Sequence, residues 1–221
     1  MDIAAVIAAK GTSMRVPNKN IKPFGSTNLL EHKINQLQQV DGLKNIYVNS
    51  ESDNILKVAS SAGAQIIKRD SYYSTNTISI NEVYKNVVSN VPHEHIMFIH
   101  ITSPLIKIQT LNKCIKLYKK FYGEYDSLAT VTAMHKFMWY KDKAVNYDPS
   151  KMPRSQDLPD YYALNFAVNI LPKQLIIDRK NIIGTKFYPV YLDEVESYDI
   201  DNPIEFKIAE KIFLMENEWI Y

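Results

Sequence analysis

Ile3–Ala8 is an uninterrupted apolar run that ends in a polar loop, the pattern of a strand buried on both faces. The loop that follows, residues 10–25, holds Gly11, Pro17, Pro23 and Gly25. Ser26 or Thr27 is placed to cap the next helix, whose inner face carries Leu30, Ile34 and Leu37. A strand is predicted over residues 45–50, then a helix capped by Ser52 that runs to Ala62 with Gly63 at its C′ position. Gln65–Lys68 reads as a short strand, residues 80–91 as a helix and residues 95–101 as a buried strand. Leu111, Ile115 and Tyr118 mark one face of a helix, and residues 127–133 form the next strand. The strand pattern resumes at 165–171, and a last helix covers 203–215.

Strands and helices that alternate in this way predict an α/β fold: a mostly parallel sheet sandwiched by helices. Residues 134–160 break the pattern. They have no helical period and carry Phe137, Met138, Trp139 and Tyr140, which suits an arm packed against another surface. No repeat or low-complexity linker divides the chain, so residues 1–221 are expected to form a single domain that includes this arm. Ligands of open α/β sheets sit outside the carboxyl ends of the strands. That points to the residues after Ala8, Ser50, Ile101 and Ala133, and to those around Asp199.

Composition narrows the function classes. A net charge of +2 over 221 residues argues against a partner such as nucleic acid or an anionic membrane. The single cysteine, Cys114, excludes an intramolecular disulfide framework and a cysteine-only zinc site. The apolar start is too short and unflanked for a signal peptide, and no later run is long enough for a bilayer. These features predict a soluble, cytoplasmic protein. Only four of the 26 basic residues are arginines, at 15, 69, 154 and 179, in a chain rich in Ile, Lys and Asn. Each raises the question of what lysine could not do there.

The loop from Lys10 to Asn20 offers Gly11 for a turn with exposed amides, the Ser13 hydroxyl, and Lys10, Arg15 and Lys19 as converging cations. Such a set suits a triphosphate, although a solvated basic turn has the same residues. The loop has neither a Walker pattern nor Gly-x-Gly-x-x-Gly. Asp199 and Asp201 flank Ile200, so in an extended segment both carboxylates project to one side. They suit Mg²⁺; Asp201 is also placed to cap the helix that starts near Pro203.

Ala8-Ala-Lys-Gly-Thr-Ser-Met-Arg-Val-Pro-Asn-Lys-Asn20, continuing through Phe24-Gly25, resembles the nucleotide-binding motif of the acylneuraminate cytidylyltransferases, the CMP-sialic acid synthetases. Matching segments follow in order: Val48–Asp53, Arg69–Thr77, Ile99–Leu105, Asp126–Thr132, Pro153–Pro159, Asn165–Asn169 and Tyr198–Asp201. Lys10 stands where that family normally has Arg, His100 where it has Gln, Asn76 where it has Asp, and Phe166 where it has Gly.

The resemblance implies a Rossmann-like nucleotidyltransferase fold and a reaction of CTP with a sialic-acid-like sugar acid, giving a CMP-sugar and pyrophosphate. It implies Lys10, Lys19, Asp199 and Asp201 as catalytic residues, the two aspartates as ligands of Mg²⁺. Ala9, Lys10, Gly11, Ser13, Arg15, Lys19, Asn20, Arg69 and Thr77 would bind the nucleotide. His100, Thr102, Ser103, Arg154, Gln156, Tyr162, Asn165 and Phe166 would bind the sugar acid, and the arm would make a homodimer. The competing readings are a 3-deoxy-manno-octulosonate cytidylyltransferase, a GT-A glycosyltransferase and a non-catalytic nucleotide-binding relative. Asn20 after Lys19 favours the acylneuraminate pattern over the first, and the C-terminal place of Asp199-Ile-Asp201 disfavours the second.

Overall fold

The computed structural model describes residues 1–75 and 77–218. In chain order the elements are β1 (Ile3–Ala8), the short pair β2 (Pro23–Phe24) and β3 (Thr27–Asn28), α1 (Leu29–Gln38), β4 (Ile46–Ser50), α2 (Asp53–Ser61) and β5 (Gln65–Lys68). Then come α3 (Ile80–Ser89), β6 (His95–Ile99), α4 (Ile108–Phe121), β7 (Ser127–Met134) and the arm hairpin β8 (Trp139–Tyr140) and β9 (Lys143–Ala144). The chain closes with β10 (Tyr161–Pro172), α5 (Lys173–Arg179), β11 (Phe187–Leu192) and α6 (Pro203–Glu218). α5 and β11 have no counterpart in the hydrophobic pattern.

A seven-stranded sheet runs β11-β7-β10-β6-β1-β4-β5. Every pairing is parallel except those of β10, which lies antiparallel between β6 and β7. Both faces are covered, which is why β1 reads as one apolar run. Ile3, Ala5 and Ile7 enter the core beneath α1, α2, α4 and α6, while Ala4 and Val6 enter the core beneath α3 and α5. From β1 the chain passes to β4 and β5 on one side, then crosses to β6 on the other. The carboxyl ends of β1 and β6 therefore border a switch point, where a crevice opens.

Local chemistry corrects one expectation. Neither Ser26 nor Thr27 caps α1; Asn28 does, its side chain accepting from the Glu31 amide at 3.0 Å. The expected inner face holds, since Leu30, Ile34 and Leu37 are fully buried. Ser52 occupies the cap position of α2 without a side-chain bond to it, and Gly63 follows the helix at a φ of 88°.

β10 carries an irregularity between Leu164 and Asn169, and inside it Phe166 adopts a φ of 57°. A left-handed backbone is strained for a phenylalanine and persists only where the surroundings impose it. Asn165 supplies that constraint: its Oδ1 accepts from the Thr130 hydroxyl at 2.6 Å and the Ala167 amide at 3.2 Å, and its Nδ2 donates to the Thr132 hydroxyl at 3.0 Å. Asn165→Ala removes all three bonds; the Thr130 hydroxyl keeps its bonds to Val168, while the Thr132 hydroxyl and the Ala167 amide lose this partner. Urea unfolding is expected to show a loss of roughly 1–3 kcal/mol; wild-type stability would mean that the bulge is held by packing instead.

Candidate functional site

Among the described residues, three cavities open at the carboxyl edge of the sheet. The first, about 380 Å³, is bounded by Lys10, Ser13, Arg15, Lys19 and Asp201, with Ser74 and Thr75 opposite. Lys10 also borders the second, about 320 Å³, whose walls include Arg69, Tyr73, Ile78 and Val83. The third, about 370 Å³, lies beyond Asp199 and is lined by Thr132, Lys136, Ser197 and Tyr198 among others.

The loop after β1 is braced from within and from β4. Gly11 needs to be glycine because a Cβ there would stand 2.6 Å from the Cβ of Ser52. Its amide, expected to face an anion, donates instead to Glu51 Oε1 at 2.7 Å. Glu51 Oε2 accepts from Arg69 at 2.7 Å, and the same guanidinium donates to the Ala9 carbonyl at 2.9 Å. Burial pushes the Glu51 carboxyl up, but the bonds from Arg69 and the Gly11 amide outweigh it and hold the group below its ordinary range. Arg69 is almost fully buried and its Nε has no partner among the described residues. Asn20 turns inward, donating to the Lys10 carbonyl at 2.9 Å.

Lys19 reaches across to the C-terminal segment and donates to the Ile200 carbonyl at 2.6 Å. Burial pulls its ammonium below the ordinary lysine value against the opposing charges of Asp199 and Asp201. Ile200 itself is fully buried and its amide donates to the Thr102 carbonyl at 2.9 Å. Asp199 is driven upward by burial and by Asp201, while the Thr102 hydroxyl and Lys19 oppose the shift. Arg15 pairs with Asp201 at 3.2 Å, both groups being well exposed.

Asp201 does not cap α6. Asn202 does, accepting from the Glu205 amide at 3.1 Å while Glu205 Oε2 accepts from the Asn202 amide at 2.8 Å, a reciprocal capping box. The carboxylate of Asp201 is thereby left to the cavity. Among the described residues no group of three or more His, Cys, Asp and Glu gathers to hold a metal. The aspartate pair alone fits Mg²⁺, which takes one or two carboxylates and completes its shell with water and phosphate oxygens.

The residues expected at the sugar acid divide. Thr102 and His100 lie at the carboxyl end of β6, and His100 stacks on Phe166 with ring centroids 6.1 Å apart and 13° between planes. Burial, aided by the charge of Lys19, pushes the His100 imidazole down to about 4, so the ring is neutral at pH 7. Ser103 is buried, and Asn165 is committed to β7. Tyr162 is exposed and packs edge-on to Phe187 and Tyr191. Arg154 and Gln156 are not brought to the cavities within this chain; both are exposed, and Arg154 pairs with Asp157 at 2.7 Å. Thr77 is exposed against Thr75, 3.1 Å between hydroxyls, and Asn76 lies outside the described residues. The sequence pattern assigned no role to Glu51, although its place at the end of β4 was a signal for one.

Comparison with known proteins matches residues 4–218 to the family model described as cytidylyltransferase. The chain is 26% identical to a CMP-N,N'-diacetyllegionaminic acid synthase of Legionella pneumophila, over 99% of both chains. It is 28% identical to N-acylneuraminate cytidylyltransferase A of Danio rerio, over 95% of this chain and 50% of that one. Among solved structures, a CMP:2-keto-3-deoxy-manno-octonic acid synthetase complexed with CTP shares the fold, with a TM-score of 0.74 and 12% identity over 98% of this chain and 100% of the other.

Glu51→Gln strips the buried Arg69 of its carboxylate, and urea unfolding at pH 7 is expected to show a loss on the order of 3 kcal/mol. Because the folded value of Glu51 lies below its ordinary 4.5, its contribution is complete above that pH and is lost as pH falls through the folded value. The variant should therefore show a flatter acid limb in a stability–pH curve. Parallel limbs for variant and wild type would count against an ionised Glu51.

Proposed function

Because the chain belongs to the cytidylyltransferase family, we propose that it joins CTP to an acidic nonulosonic sugar, giving a CMP-sugar and pyrophosphate. The observation that carries this reading is the meeting of the Lys10–Lys19 cations with the Asp199-Ile-Asp201 segment at the switch point, next to the buried Arg69. The alignment with a legionaminic acid synthase over 99% of both chains supports the acceptor class.

The triphosphate lies in the first cavity, where Lys10, Lys19 and Arg15 neutralise the charge that moves onto the departing pyrophosphate. The nucleoside enters the second cavity, whose wall includes the Arg69 guanidinium, a planar donor suited to a pyrimidine carbonyl. Asp199 and Asp201 would hold Mg²⁺, which would supply Lewis-acid polarisation of the phosphate. The sugar acid sits between the third cavity and the His100–Phe166 stack, with its C2 hydroxyl directed at the α-phosphorus. The new P–O bond forms as the bond to pyrophosphate breaks, and the hydroxyl proton passes to solvent. The chain works as one domain in the cytoplasm. It dimerises through the arm, where Trp139, Tyr140 and Met152 are more than half exposed, and Arg154 and Gln156 complete the partner's acceptor site.

The test is a panel of sugar acids with CTP and Mg²⁺, read by mass. A CMP conjugate of a nonulosonic acid is expected, and Asp199→Ala/Asp201→Ala should reduce its formation by at least about 100-fold. An undiminished product would refute the metal assignment. Conjugation of 3-deoxy-manno-octulosonate alone would overturn the acceptor class, and no turnover with any acid would mark a nucleotide-binding relative.

A further inference from the structure

Lys33 points into the core from the middle of α1, with no exposed surface. Its Nζ donates to Gln36 Oε1 at 2.6 Å and to the Ser103 carbonyl at 2.9 Å. Among the described residues no carboxylate forms an ion pair with it. Burial alone pushes the ammonium down to about 7. An amine buried without a counter-ion is a costly choice at a position where methionine or leucine would pack more cheaply. Departures from local rules concentrate where function requires them.

Lys33 does not act alone. Gln36 Nε2 donates to the Ile106 carbonyl, and the His32 ring meets the Pro104 carbonyl at 2.9 Å. Burial, aided by the charge of Lys33 and opposed by the Pro104 carbonyl, pushes His32 down to about 4, so that ring is neutral. Three side chains from adjoining turns of α1 thus grip the carbonyls of Ser103, Pro104 and Ile106. These belong to the segment between β6 and α4, outside any helix or strand. The residue just before the grip is Thr102, whose carbonyl accepts at 2.9 Å from the amide of Ile200, the residue between the two aspartates.

We propose that Lys33, with His32 and Gln36, is a positioning residue: it clamps the 103–106 segment to α1 so that the Thr102 carbonyl holds Ile200, and with it the flanking Asp199 and Asp201, in register with the Lys19 loop. The clamp acts through main-chain carbonyls and touches neither substrate. Its catalytic consequence rests on the cytidylyltransferase reading; the structural one does not.

Lys33→Met keeps length and apolar packing but removes both donated bonds. Amide hydrogen exchange is the first readout. The Ile200 amide should exchange at least about five-fold faster, while amides in the centre of β1 and β4 keep their protection and the Tm does not fall. In the CTP reaction the half-saturating Mg²⁺ concentration should rise roughly three- to ten-fold, with the CTP KM at saturating Mg²⁺ unchanged. Wild-type exchange at Ile200 would overturn the proposal. So would uniformly faster exchange with a lower Tm, which would mark Lys33 as a general core residue. If the variant folds poorly, Gln36→Leu, which breaks the same grip from the next turn, is read by the same criteria. Should the wild-type chain form no CMP conjugate at all, the cytidylyltransferase reading fails, while the exchange result still decides whether the clamp exists.

Discussion

Ile200 ties together three parts of the chain that are remote in sequence. Its side chain is fully buried, its amide donates to Thr102 after β6, and its carbonyl accepts from Lys19 in the loop after β1. An extended segment anchored on its middle residue must send the flanking side chains the other way, toward the solvent-filled crevice. Asp199 and Asp201 are those flanking residues. The geometry of both carboxylates therefore follows from the burial of one isoleucine, and the capping box of Asn202 and Glu205 keeps α6 from competing for Asp201.

A second coupling runs through Glu51. Its two oxygens take the Gly11 amide and the Arg69 guanidinium, so the loop after β1 and the wall of the second cavity share one carboxylate at the end of β4. The cations at this edge are interleaved with acids rather than massed: Lys19 faces Asp199 and Asp201, Arg15 meets Asp201, and Arg69 meets Glu51. That arrangement limits self-repulsion among the cations and fixes their charges in place. It also explains a chain of nearly balanced net charge that nonetheless carries a cationic mouth.

Much of the fold was legible because a sheet covered on both faces leaves a plain trace: short apolar runs separated by helices of period 3.6. The strands at β1, β4, β6 and β7 and the helices α1 to α4 follow that trace. β11 escaped because Pro189 interrupts its run, a residue that speaks against a strand, and α5 because seven residues are too few for a period. The cap of α1 went to Asn28 rather than Ser26 or Thr27 because the β2–β3 pair keeps the chain extended through Asn28, which is the last extended residue before the helix, a tertiary fact.

At the site, residue identity settled which groups are available: the cations of the loop after β1, the aspartate pair, and arginine at position 69 where a buried planar donor is used. Those choices are chemical and can be read in a row of letters. Tertiary structure decided their partners. It gave the Gly11 amide to Glu51, turned Asn20 onto its own loop, and left Arg154 and Gln156 on an exposed arm. It also put Lys33, which looks like any surface lysine of a helix, into the core against the carbonyls that follow Thr102. Periodicity reports how often a face recurs, whereas the burial of a polar group depends on which carbonyls the rest of the chain brings within 3 Å of it.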